Sequence, residues 1–186
     1  DRYVLNGEKI YITNAPVANV FTMMAVTDKS KGVKGISAFI LERGFKGLSV
    51  GKNELKMGMH GCTTAPVIMQ DCEVPAENLL GPEGMGFVQA LKTLTAGRVT
   101  VAARCCGMMD KLISRSAEYM KVRSQGGHKL AEYQGLQWML ADMAVQRDAA
   151  RLLARRGIDT LMRGERGTLE AAMAKLYATE ALGKVV

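Results

Sequence analysis

The sequence predicts an α+β fold, with an antiparallel β-barrel or sandwich segment over residues 1–82 and long, bundled helices over residues 83–186. Three observations carry this. Strand-length apolar runs separated by Gly-, Pro- and Asn-containing loops fill the first part of the chain. No helix-length pattern interrupts them, so the connections suit antiparallel pairing rather than parallel crossovers. After Pro82 the apolar spacing changes to that of a helix.

Taken in order, Arg2 to Leu5 and Glu8 to Thr13 flank Asn6-Gly7, a pair whose tolerance of positive φ suits a type I′ hairpin turn. Further strands are expected at Val20 to Thr27, Gly35 to Glu42, Leu48 to Val50 and Thr64 to Val74. Met85 to Leu94 reads as a short helix. A long helix is expected from Arg98 to Val122, with Val101, Cys105, Met108, Leu112 and Tyr119 on its apolar stripe. Lys111, Arg115 and Glu118 fall on another side. A second long helix, from about Ala131 to Met162, carries Leu136, Leu140, Met143, Ala150, Ala154 and Leu161 and stops at Arg163-Gly164. A third starts at Thr168 as its N-cap and still runs at Val186. Three such helices cannot bury all their apolar faces on one another, so a fourth helix or a partner subunit is implied.

Apolar residues make up 48% and charged residues 23% of the 186, which excludes collagenous, low-complexity and acidic disordered classes. No stretch approaches the ~20 apolar residues of a membrane-spanning helix. Asp1-Arg2-Tyr3-Val4 has neither the basic nor the apolar region of a secretory signal. Without an initiating Met, the chain is expected to be part of a longer protein. Its net charge of +7 favours anionic partners such as nucleic acid, an acidic lipid surface or a phosphorylated cofactor. Cys62, Cys72, Cys105 and Cys106 make no disulfide framework and no C-x-x-C pair, so a reducing setting and burial as small hydrophobes are expected.

Arg147, Arg151 and Arg155 recur every four residues on one helix face. A solvated stripe balanced by Asp148 and Asp159 is expected there, ahead of a phosphate-binding surface. With aromatics at 5% and none near the stripe, nucleic-acid binding is not expected. Gly81-Pro82-Glu83-Gly84-Met85-Gly86 lacks the P-loop Lys-Ser/Thr and does not fit G-x-G-x-x-G, so it reads as a turn. The thirteen methionines read as core filler. Tyr11-Ile12-Thr13-Asn14 ends a strand, and period two puts the Tyr11 ring and the Thr13 hydroxyl on one face. A flat ring beside a short hydrogen-bonding group suits an aromatic heterocycle; an ordinary strand end is the plainer alternative.

Several stretches, in their order and spacing, resemble the acyl-CoA dehydrogenase family over nearly the whole chain. They are Val4-Leu5-Asn6-Gly7-Glu8-Lys9, Tyr11-Ile12-Thr13-Asn14, Lys34-Gly35-Ile36-Ser37-Ala38-Phe39, Lys56-Met57-Gly58-Met59, Val74-Pro75-Ala76-Glu77-Asn78-Leu79-Leu80-Gly81 and Gly84-Met85-Gly86-Phe87. Gly97-Arg98, Leu130-Ala131-Glu132-Tyr133-Gln134 and Leu140-Ala141-Asp142-Met143-Ala144 extend the match. The resemblance implies that residues 1–82 are the later part of the family's middle β domain. Residues 83–186 would then be most of its C-terminal antiparallel four-helix bundle. It further implies FAD as cofactor, an acyl-CoA substrate, electron-transfer flavoprotein as acceptor and a homodimer or homotetramer. Fatty-acid β-oxidation, with a cytoplasmic (bacterial) or mitochondrial-matrix setting, is the expected context.

Residue by residue, the resemblance puts Tyr11 where the family usually has a Trp near the flavin ring, with Ile12 beside it. It puts Thr13 where a hydroxyl reaches the flavin N5 edge. Arg123 matches the Arg that grips the FAD pyrophosphate of a neighbouring subunit, with Gln125 beside it. Tyr133 and Gln134 fall in the segment that faces that second FAD. Arg98 matches an Arg near the acyl-thioester pocket, with Thr95 to Gly97 adjacent. A guanidinium forks onto phosphate oxygens, and a hydroxyl donor tunes a reduced flavin, so the chemistry is compatible.

Three departures stand out. Gly126 replaces the family's usual Phe, Thr95 stands where Asp is common, and Gly97 stands where one class of members keeps its catalytic Glu. The other common Glu position lies beyond Val186, so no catalytic residue is expected within the chain. Glu118, Glu132, Glu170 and Glu180 are expected on solvated helix faces. An acyl-CoA oxidase is the alternative on the same fold. A flavin-free structural or interaction module is the alternative of another class.

Overall fold

In the computed structural model, which describes residues 1–186, five strands build the N-terminal half. They are β1 (Arg2–Thr13), β2 (Val20–Val26), β3 (Ile36–Glu42), β4 (Leu48–Val50) and β5 (Thr64–Pro75). All pairings are antiparallel, as β1-β5-β4 in one sheet and β2-β3 in another. The two sheets bury one core between them: Leu5, Phe21, Met23, Phe39, Leu41, Val67, Met69, Cys72 and Val74 pack together. The arrangement is a sandwich. Its inner faces come from alternating positions, as at Leu41 and Phe39 of β3 or Cys72 and Val74 of β5.

The expected hairpin at Asn6-Gly7 does not form. Strand β1 runs on through both residues against β5, with a register shift between Leu5 and Gly7. A type I′ turn needs positive φ at both central residues, and only Gly7 has it. The Asn6 amide instead donates to the Asp71 carboxylate at 3.1 Å, and the Asp71 N–H donates to Asn6 Oδ1 at 2.8 Å. The 12-residue partner strand offers a ladder along the whole length, and a bulge with a side-chain clasp replaces the turn.

The Gly-rich 81–86 segment is a turn. Gly81 and Gly84 take positive φ, and the Gly84 N–H donates to the buried Ser37 hydroxyl at 2.8 Å. A side chain at Gly86 would stand 2.6 Å from the Ser37 backbone, which explains the glycine.

Three long helices follow: α1 (Gly86–Val122), α2 (Gln134–Met162) and α3 (Thr168–Val185). Between α1 and α2 lies a small hairpin of β6 (Ser124–Gln125) and β7 (His128–Lys129). The short helix expected at Met85 to Leu94 and the long one from Arg98 are one 37-residue helix. Gly97 costs about 1 kcal/mol of propensity without ending the helix, and the Thr95 hydroxyl donates back to Leu91 O at 2.9 Å. Helix α2 starts later than expected, because Leu130–Glu132 forms a separate 3-10 turn. Gly164, at φ +76, ends it as predicted. At α3 the cap is Gly167, in the left-handed region at φ +57, and Thr168 is the first helical residue.

The chain divides into two compact units, Asp1–Ala90 and Leu91–Val186. In the second, Ala102, Cys105, Cys106 and Met109 of α1 bury against Ala150 and Ala154 of α2 and Ala174, Ala178 and Ala181 of α3. Of the expected α1 stripe, Cys105 is buried and Val101 and Leu112 pack against this core, whereas Met108 and Tyr119 are exposed and Ala102, Cys106 and Met109 take inner positions. Small side chains win the inner positions because they let the helices approach. At Gly157 a Cβ would already lie 3.1 Å from Val99 Cγ2. Cys72, Cys105 and Cys106 are buried and Cys62 is half-buried, all as free thiols. No helix is long and apolar enough to cross a membrane.

Candidate functional site

The strand end that the sequence singles out contains a second bulge. Between Lys9 and Ile12 the β1–β5 register shifts, and Tyr11 takes φ +54. A bulged residue can reset the alternation, but the two side chains that the period-two argument puts on one face, Tyr11 and Thr13, are both exposed, opposite the core-packed Ile12. Leu5 and Ile12, on either side of the two bulges, both face the core, while Tyr11 is 66% exposed and Thr13 is exposed. Ile12 and Thr13 line a hollow of about 460 Å³, together with Lys9, Ala18, Phe21 and Met23. Its walls are mainly apolar. The Thr13 hydroxyl makes no hydrogen bond within the chain.

In the second unit, Arg123, Gln125, Tyr133 and Gln134 come together around the β6–β7 hairpin. Arg123 follows the last residue of α1, and its carbonyl accepts from the Leu130 N–H at 2.9 Å. The Tyr133 hydroxyl donates to Gln125 O at 2.6 Å. Gly126 and Gly127, both at positive φ, make the turn between the two short strands. The Arg123 guanidinium is exposed and has no acidic partner in the chain, so its donors are free. The Tyr133 hydroxyl proton, in contrast, is already engaged.

Thr95 and Arg98 lie one turn apart on α1. Arg98 is half-buried without a carboxylate partner, whereas Thr95 is buried and spends its proton on Leu91 O. No atom lies within 4 Å of a Cβ placed at Gly97, so that position has open space.

The glutamates differ from the expected solvated helix faces in two cases. Glu118 and Glu180 are exposed on helices as expected. Glu132 sits on the 3-10 turn before α2, where His128 Nδ1 lies 3.0 Å from its carboxylate and the Lys129 N–H donates to it at 3.1 Å. The His128 hydrogen bond and then that backbone donor hold its pKa below the usual carboxylate value. Glu170 is half-buried, 3.6 Å from Arg156.

The basic stripe on α2 is balanced, though not only by its expected partners. Arg147 pairs with Asp148 at 2.7 Å, and both Arg147 and Arg151 converge on Asp110 of α1. Sequence reasoning missed Asp110, because a pairing between residues 37 and 41 positions apart leaves no local periodicity. Arg155 and Asp159 border a different hollow of about 550 Å³, where Arg156, Arg163, Glu165 and Glu170 bring opposite charges together. Burial pushes the Cys72 and Cys106 thiols up in pKa, which leaves them poor nucleophiles.

The chain thus combines a β sandwich with a helical bundle and leaves free donors at a strand end and beside an interhelical hairpin. Residues 1–72 match the acyl-CoA dehydrogenase middle domain and residues 84–186 the acyl-CoA dehydrogenase C-terminal domain. The chain belongs to the acyl-CoA dehydrogenase family. It is 47% identical over 178 residues to the short-chain specific acyl-CoA dehydrogenase of Clostridium acetobutylicum, a match covering 96% of this chain and 47% of that relative. It is 43% identical over 185 residues to the caffeyl-CoA reductase-Etf complex subunit CarC of Acetobacterium woodii, covering 100% of this chain and 49% of that one. The three-dimensional structure of butyryl-CoA dehydrogenase from Megasphaera elsdenii matches with a TM-score of 0.91 at 44% identity, over 97% of this chain and 47% of its own. The chain spans about half the length of the curated relatives it matches.

Proposed function

We propose that the protein to which these residues belong uses FAD to dehydrogenate an acyl-CoA thioester between Cα and Cβ, giving the trans-2-enoyl-CoA. The observation that carries this reading is the Thr13 hydroxyl, free of partners, on the wall of a largely apolar hollow. Apolar walls suit a flat heterocycle, and one free donor suits its polar edge. FAD held by these residues would supply the two-electron acceptor for the β-hydrogen and its electron pair, and a carboxylate base would remove the α-proton.

The chain's own residues then divide the work. Thr13 donates at the ring edge, with Ile12 and Tyr11 alongside. Arg123 forks onto phosphate oxygens of an FAD held by a neighbouring copy, with Gln125 and Gln134 beside it, which makes the assembly a homodimer or homotetramer. Tyr133 acts from one shell back, since its proton serves Gln125 O. Arg98 meets the substrate. Thr95, its proton committed to Leu91 O, contributes lone pairs and packing only. The domain boundary of this reading falls between residues 82 and 83.

The base is a carboxylate outside residues 1–186. Glu132 is held ionised and is a weak proton acceptor, Glu170 faces Arg156, Gly97 has no side chain, and Glu118 and Glu180 point to solvent. The name of the Acetobacterium relative, a reductase in an Etf complex, supports an electron-transfer flavoprotein as redox partner. It also favours a second reading in which a 2-enoyl thioester is reduced, since the same residues serve both directions.

Anaerobic bleaching of the FAD-loaded, full-length protein by butyryl- to palmitoyl-CoA tests the reaction; oxygen consumption after bleaching marks an oxidase instead. Thr13→Val is expected to slow bleaching and shift the flavin spectrum. Arg123→Ala is expected to release FAD on dilution, because a charged hydrogen bond contributes about 1.5–3 kcal/mol. An unaltered spectrum and rate in the first variant, with unchanged FAD retention in the second, would sink the reading.

A further inference from the structure

Arg43 stands just after β3, yet it holds the turn that follows Thr13. Its Nε donates to Ala18 O at 2.7 Å and its Nη2 donates to Ala15 O at 2.5 Å. Its backbone N–H donates to Asn19 O at 2.8 Å, so three bonds from one residue span the turn. The guanidinium carbon lies 5.9 Å from the centroid of the Phe21 ring, over its face. The turn itself starts from strain: Asn14 takes φ +63, its N–H donates to Thr63 O at 2.7 Å, and the Ala15 N–H donates to Ile12 O at 3.3 Å. Ala18 and Phe21, both touched by Arg43, line the same hollow as Ile12 and Thr13.

We infer that Arg43 is a positioning residue for the flavin ring: it fixes the Ala18–Phe21 wall of the hollow relative to the Thr13 hydroxyl. This rests on the reading of that hollow as the place of the ring. The chemistry requires Arg. Its planar fork reaches two carbonyls at once and still faces an aromatic ring, whereas a Lys ammonium keeps the charge but lacks the fork. Loss of the fork frees the Ala15 and Ala18 carbonyls, while the backbone bond to Asn19 O stays, and lets the wall move, so binding must then order the turn, at a cost in affinity.

The test uses FAD-loaded, full-length protein and compares wild type with Arg43→Met, Arg43→Lys and Thr13→Val. Flavin visible absorption, the FAD Kd and the melting of the FAD-free protein are read for each. Arg43→Met is expected to weaken FAD about fivefold, roughly one net hydrogen bond, and to shift the flavin bands, with Arg43→Lys intermediate. If Arg43→Met fails to fold, Arg43→Lys carries the test. Unchanged bands and Kd in the Arg43 variants, beside shifted bands in Thr13→Val, would overturn the inference and leave the flavin reading standing. Unchanged bands in all variants would remove both. A lowered melting point with unchanged bands and Kd assigns Arg43 to stability alone and overturns it as well.

Discussion

The Tyr133 hydroxyl donates to the Gln125 carbonyl at 2.6 Å, and a Cβ built on Gly126 would stand 3.0 Å from that same hydroxyl oxygen. The glycine and the tyrosine therefore belong together. Gly126 has φ +62, which a side chain disfavours, and the space above it is taken by the Tyr133 ring's polar end. The absence of the bulky residue expected at 126 from the resemblance is matched by a local hydrogen bond that ties the hairpin to Tyr133.

This pairing predicts a graded loss. Gly126→Ala is expected to cost about 1–2 kcal/mol, the penalty of left-handed backbone for an L-residue. Tyr133→Phe is expected to cost about 0.5–1.5 kcal/mol, since Gln125 O is exposed and water replaces part of the lost bond. Urea denaturation checks both. In the Tyr133→Phe background the cost of Gly126→Ala should fall, because the close contact with the hydroxyl is gone; fully additive costs would contradict the contact.

A second prediction concerns Asp110, which accepts from Arg147 Nη1 at 2.6 Å and Arg151 Nη2 at 2.5 Å. Asp110→Asn is expected to destabilise the protein by about 1 kcal/mol. The value is kept low because Asp110 is 41% exposed and Arg151 37%, so water screens the pairs. The loss should shrink in concentrated salt. A penalty independent of salt would mean that packing, not charge, sets it.

A third follows from Asp28 at the head of the 3-10 turn Lys29–Gly35. The Lys31 ammonium, 2.8 Å away, and then the Ser30 hydroxyl and N–H, at 2.6 and 2.9 Å, lower its pKa from 3.8 to about 2. A pKa depressed by folding contributes stability above the unfolded value and loses it as pH falls through the folded one. The turn should therefore hold at pH 5 and loosen between about pH 4 and 2. Amide shifts of Ser30 and Lys31 followed through an acid titration check this. Asp28→Asn should abolish the transition, and its persistence there would assign the titration to another group.

Much of the architecture was legible from local pattern. The strands from Val20, Gly35, Leu48 and Thr64 are found within a residue or so of their expected ends, because each is an apolar run bounded by strong breakers. The Gly164 stop held for the same reason: its positive φ is a property of one residue. Where two elements compete for the same residues, local pattern failed. Asn6-Gly7 carries a turn signature, yet β5 offers backbone partners on both sides of it and Asp71 satisfies the Asn6 side chain. Gly97 weakens a helix locally, and the packing of α1 from Val99 to Met109 carries the helix through it.

The candidate site divides along the same line. Residue types and order in the sequence determined the family, the strand end at Thr13, the guanidinium at Arg123 and the lack of a side chain at Gly97, since each is a property of a position or a short motif. Only the tertiary structure decided that Tyr11 sits in a bulge, that Tyr133 spends its proton on Gln125, that Asp110 collects Arg147 and Arg151, and that Arg43 holds Ala15 and Ala18. Those facts depend on which acceptors from other parts of the chain lie within about 3 Å of a donor. That distance is set by strand register and helix approach, which no local spacing encodes.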